Sequence, residues 1–170
     1  RDMAEALDST DDETLSQYFK EVRRLQGPDK KVLIRINSGL NDRNELSPSY
    51  MLGIVPGNSR EAFGDNVRSI VTRIESIWIL NGWDIDELYF LIVVSHDVSG
   101  DMQLEEYRSE AEQLASDLPR TASVNLASVA SAYTIFQNNW YVSPNDFNHL
   151  SVEGYEKIST RELDAIISCI

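Results

Sequence analysis

Asp146 and His149 stand three residues apart near the end of the chain, in the stretch Asp146-Phe147-Asn148-His149-Leu150-Ser151-Val152-Glu153-Gly154-Tyr155. Histidine is the usual general base at neutral pH, and a carboxylate beside it fixes its tautomer and stabilises its charged form. A short spacing in a loop supplies that partner locally. Taken alone, such a pair is more often a polar loop ahead of a helix than a piece of catalytic machinery. A second chemistry-bearing stretch lies far upstream, Gly39-Leu40-Asn41-Asp42. A glycine N–H and an asparagine side-chain amide can together hold a developing oxyanion. Glycine lets the substrate approach the backbone with no Cβ in the way, and asparagine donates without adding charge. A base oriented by a carboxylate can activate a serine, so the two stretches together suit acyl transfer.

The elements that must position these groups can be read from periodicity. Thr10 and Glu13 form a capping-box pattern ahead of a stripe of Leu15, Tyr18, Phe19, Val22 and Leu25, and Gly27-Pro28 stops that helix. Val32 to Ile36 reads as a buried parallel strand in which Arg35 needs a partner or an edge. A long loop comes next, carrying Gly39, Asn41, Pro48, Gly53, Pro56 and Gly57. The next helix, capped at Asn58 or Ser59, has the stripe Phe63, Val67, Ile70, Val71, Ile74, Ile77 and Trp78 and ends at Asn81-Gly82. Leu88 to Val94 is the clearest strand, with Ser95-His96-Asp97 directly after it. A helix is expected over 104–117, a weaker strand over 122–126, a polar and aromatic loop over 133–145, and a last helix capped by Ser151. Alternating helices and strands mean an α/β fold: a parallel sheet with helices on both faces. Right-handed crossovers bring the strands' C-terminal ends to one edge, where ligands bind. Gly39, Asn41, His96 and Asp146 to His149 are all expected after strand ends.

With both motifs in place, the chain resembles the SGNH (GDSL-type) hydrolases. In that family a G-x-N-D block comes after a strand, and a D-x-x-H block precedes the last helix, often continuing as H-L-S-x-x-G-Y. Here these are Gly39-Leu40-Asn41-Asp42 and Asp146-x-x-His149-Leu150-Ser151-Val152-Glu153-Gly154-Tyr155. The resemblance runs from the first helix to the last. It implies a three-layer α/β/α, flavodoxin-like domain over residues 1–170. It implies a serine ester hydrolase, an esterase or carbohydrate O-acetylesterase, that works without cofactor or metal. His149 is then the base, Asp146 its orienting acid, and Gly39 and Asn41 oxyanion-hole donors. The substrate is a small-molecule or carbohydrate ester.

One block of the family pattern is missing. The nucleophilic serine belongs to a G-D-S block after the first strand, and no G-D-S occurs in residues 1–170. The first residue is Arg1 rather than Met. Either the strand and its serine lie upstream, or the chain is a non-catalytic binding or interaction module that has lost its nucleophile. A sheet without its central strand exposes apolar surface and unpaired edges, which favours the first alternative. Ser38 reads as a turn residue rather than a substitute nucleophile. His96-Asp97 reads as a strand-end pair, Asp42 as a brace for its turn. Trp140, Tyr141, Phe136 and Tyr133 read as packing rather than a sugar platform.

Composition narrows the classes further. A net charge of −13 argues against nucleic-acid binding, which needs clustered Lys and Arg. Cys169 is the sole cysteine, so no intrachain disulfide or thiolate cluster forms, and two histidines leave little for a metal site. No apolar run reaches the length of a membrane span. The chain reads as a soluble domain. Compartment (secreted and periplasmic places included) and oligomeric state stay open.

Overall fold

The computed structural model describes residues 11–27, 30–38, 60–94, 102–129, 131–143 and 146–169. Helix α1, Asp12–Gln26, starts at Asp11, whose carboxylate accepts a 2.7 Å hydrogen bond from the Thr14 N–H. The cap is therefore Asp11 and not Thr10, which lies outside the described residues. A carboxylate makes a charge-assisted cap and complements the positive end of the helix. Gly27 ends the helix at φ 86, with its N–H donating to the Arg23 carbonyl at 2.9 Å. The buried stripe is narrower than periodicity suggests: Leu15 and Phe19 are buried, but Tyr18 is 64% and Leu25 70% exposed. Those two sit about 60–80° round the helix from Leu15, past the flank that meets the rest of the molecule.

Strands β1 (Val32–Ser38), β2 (Leu88–Val94) and β3 (Thr121–Asn125) form one parallel sheet in that order. The chain is a mixed α/β protein. Helix α2, Arg60–Leu80, joins β1 to β2, and its whole expected stripe from Phe63 to Trp78 is buried. Gly82 at φ 76 turns the chain out of it. A 3-10 turn, Ile85–Glu87, then leads into β2; its Asp84 cap accepts from the Asp86 N–H, and the Asp84 carbonyl accepts the Trp78 indole N–H at 2.8 Å. Helix α3, Met102–Asp117, joins β2 to β3.

Alternation along the strands divides the core. Val32, Ile34 and Ile36 of β1, with Leu88, Phe90, Ile92 and Val94 of β2, pack with α1, α2 and α3 in one cluster. Leu33 of β1, Leu91 and Val93 of β2, and Ala122 and Val124 of β3 belong to a second cluster. That cluster is completed by elements where a loop was expected over 133–145. Ahead of that span Leu126, expected to end the weaker strand, opens the short helix α4 (Leu126–Val129). Within the span are the short helix α5 (Ala132–Gln137) and β4 (Tyr141–Ser143), which pairs antiparallel with β5 (Asp146–Leu150). Helix α6, Val152–Cys169, closes the chain. The correction has a packing cause. Ile135, Tyr141 and Leu150 are all buried there, each worth about 1.5–3 kcal/mol, and their backbone must then find hydrogen bonds in local structure.

Candidate functional site

The three parallel strands end together. Ser38, Val94 and Asn125 stand in one row of the register, so the sheet has a single C-terminal edge. Ser38 is a strand residue, not a turn residue. Gly39 comes next in sequence; Gly39, Asn41, Asp42, His96 and Asp97 lie outside the described residues. Asn125 reaches this edge without having stood out in the sequence. Its side-chain oxygen accepts from the Ala127 N–H at 3.1 Å, so it turns the chain into α4. An asparagine near the end of the short alternating stretch Thr121-Ala122-Ser123-Val124 was the available signal.

Asp146 and His149 lie in β5, not in a loop. The strand is irregular: Tyr141 faces Leu150 and Ser143 faces Asp146, with a shift of register between them. Val142 of β4 is thus opposed by Phe147, Asn148 and His149 of β5. The Asp146-to-His149 spacing occupies a bulge, a device that bends a strand and re-aims its side chains. His149 is exposed at this bulge, while the next residue, Leu150, is buried in the second cluster. The Asp146 side chain lies outside the described residues.

Immediately after His149 the chain forms a tightly built joint. Ser151 caps α6, its hydroxyl accepting from the Gly154 N–H at 3.2 Å and its carbonyl from the Tyr155 N–H at 2.9 Å. The Ser151 N–H donates to the Trp140 carbonyl at 2.6 Å. A Cβ on Gly154 would stand 2.6 Å from that same carbonyl oxygen and 2.9 Å from the Trp140 Cβ. Leu150, Ser151 and Gly154 therefore each have a packing or capping reason to be where they are. They lock the bulged strand that carries His149 to the start of α6.

Trp140 is half-buried and Tyr141 buried in the second cluster, as packing residues are; the side chains of Tyr133 and Phe136 lie outside the described residues. Arg35 has a partner. Its guanidinium grips the Glu162 carboxylate of α6 with two hydrogen bonds, Nε to Oε1 and a terminal nitrogen to Oε2 at 3.0 Å. Among the described residues, no group of three or more His, Cys, Asp or Glu side chains is placed to hold a metal ion, and no helix is long and apolar enough to cross a membrane. In comparisons with known proteins, no family model, curated protein or solved structure matches the chain.

Proposed function

We propose that this chain carries the acid–base and oxyanion parts of a serine ester hydrolase of the SGNH type, on a three-layer α/β/α domain. The observation that carries the reading is the position of His149. It is exposed on a bulged strand that is fixed to a capped helix. Supporting it, β1 is a parallel strand that runs straight into the Gly39-Leu40-Asn41-Asp42 sequence. In this reading His149 takes the proton of a serine hydroxyl as the serine oxygen attacks the ester carbonyl carbon. Asp146 orients the imidazole and stabilises its charged form. The Gly39 N–H, the Asn41 amide and the serine's own N–H hold the negative oxygen of the tetrahedral intermediate. Collapse breaks the C–O bond, and His149 gives its proton to the departing alcohol. Water then attacks the acyl-enzyme, surrenders a proton to His149, and releases the acid as the serine regains its own. Small esters and acetylated sugars are the proposed substrate class.

The nucleophile in this reading is a serine outside residues 1–170, because no G-D-S block occurs within them. The same absence favours a second reading, a binding or interaction module of this fold with no hydrolytic step. An ester assay separates the two. A short-chain nitrophenyl ester is given to residues 1–170 and to a polypeptide that includes the coding sequence ahead of Arg1. Turnover confined to the longer polypeptide and blocked by a serine-directed inhibitor supports the hydrolase. Equal inhibitor-sensitive turnover by both moves the nucleophile into residues 1–170, and no turnover by either leaves the binding module.

A further inference from the structure

Arg35 is out of place on the face of the sheet that it occupies. Its row of the register is Arg35, Leu91 and Ala122, and the other two members pack in the second apolar cluster. The row thus favours an apolar side chain at position 35, and an apolar residue at 162 would avoid the cost of desolvating the nearly buried carboxylate. Instead the chain places a guanidinium on β1 and a carboxylate on α6, 127 positions apart, and joins them by two hydrogen bonds. Glu162 is the buried partner: its side chain is only 10% exposed, against 41% for Arg35. A planar fork on a carboxylate fixes distance and orientation together, which sliding apolar contacts do not.

We infer that Arg35 and Glu162 are a positioning pair that sets α6, and through its N-terminal joint His149, against β1. The inference rests on the proposed hydrolase, in which β1 leads to the oxyanion residues and α6 comes after the base. The pair ties together the two elements that carry the two halves of that site. Beyond Ser38 the chain continues to Gly39 and Asn41, while Ser151, Gly154 and Trp140 couple the first turn of α6 to the bulge bearing His149. A shift of α6 along β1 therefore moves His149 relative to the strand end.

Two variants test this: Arg35→Met with Glu162→Leu, which keeps the contact but removes its directionality, and the milder Glu162→Gln. The readouts are the thermal midpoint, the proton–carbon spectrum of the histidine rings, and steady-state ester hydrolysis by the polypeptide that includes the sequence ahead of Arg1. With two histidines in residues 1–170, a His149→Gln control assigns the ring signals. The apolar pair is expected to melt at or above the wild-type temperature. Its His149 ring signal is expected to move, with kcat falling ~10-fold or more at unchanged KM, as misplacement of a reacting group does. Glu162→Gln should shift the same ring signal in a folded protein, so the test stands even if the double variant fails to fold. An unmoved His149 signal in any folded variant overturns the positioning role, whatever happens to stability. If the wild type hydrolyses nothing, the hydrolase reading fails, and the ring spectrum alone decides the pair.

Discussion

The carbonyl oxygen of Trp140 and the α-carbon of Gly154 meet so closely that a Cβ at position 154 would lie 2.6 Å from the oxygen. That carbonyl is also the acceptor for the Ser151 N–H, so it cannot swing aside without giving up a hydrogen bond. Gly154→Ala is therefore predicted to destabilise the protein by about 1–3 kcal/mol, the usual cost of forcing an extra group into a filled site. Thermal or denaturant unfolding measures it. A variant as stable as the wild type would mean that the joint before α6 yields easily, and that it does not hold His149 in place.

Gly64 offers the opposite outcome from a contact that looks equally tight. A Cβ there would lie 2.5 Å from the Glu110 carboxylate oxygen, but that oxygen is the free end of a flexible side chain. Glu110 can swing away from Arg60, its partner at 2.8 Å. Inside α2, alanine gains roughly 0.5–1 kcal/mol over glycine. Gly64→Ala is predicted to melt at or above the wild-type temperature. A loss as large as that of Gly154→Ala would show Glu110 to be fixed.

Acid stability is predicted to depend on the α1 cap. The Thr14 N–H donated to Asp11 favours the charged carboxylate and holds its pKa below the usual 3.8. Arg24 does the same for Glu21, and Arg68 with Gln113 for Asp117. A carboxylate whose pKa is lowered by folding adds stability above its unfolded pKa, and that stability drains as pH falls through the folded value. Asp11→Asn keeps a competent cap without the titrating charge. Melting temperatures at about pH 6 and about pH 3 should therefore fall less in Asp11→Asn than in the wild type. Parallel falls would remove Asp11 from the acid response.

Much of this fold was legible where one physical signal dominated. Leu88–Val94 is an unbroken apolar run, and the structure makes it the central strand with the same ends. The α2 stripe is buried as spaced, and Ser151 caps α6 as its position suggested. The β4–β5 pair was not legible. Tyr141–Ser143 is three residues long, and the bulge erases the period of two across Phe147, Asn148 and His149. Those strands exist because Tyr141 and Leu150 are buried against distant residues, which no local pattern records. Tyr18 and Leu25 failed for the same reason, since their spacing is helical but nothing covers their flank among the described residues. For the site, the sequence placed His149 directly ahead of the capped helix but gave it a loop, and its strand and bulge came only with the structure. Arg35 needed a partner by its chemistry, yet Glu162 lies too far along the chain for spacing to name it.

Steady-state ester hydrolysis by His149→Ala and Asn41→Ala, made in the polypeptide that includes the sequence ahead of Arg1, bears most directly on the proposed chemistry. Removing the base is predicted to abolish nearly all turnover. Removing one oxyanion donor is predicted to lower kcat ~10²–10³-fold with KM little changed, because the oxyanion exists only in the transition state and intermediate. Both proteins should remain folded by thermal melting. Wild-type kcat in a folded His149→Ala protein would contradict the ester-hydrolase reading outright, and unchanged kcat with a lowered melting temperature in Asn41→Ala would reduce Asn41 to a turn residue.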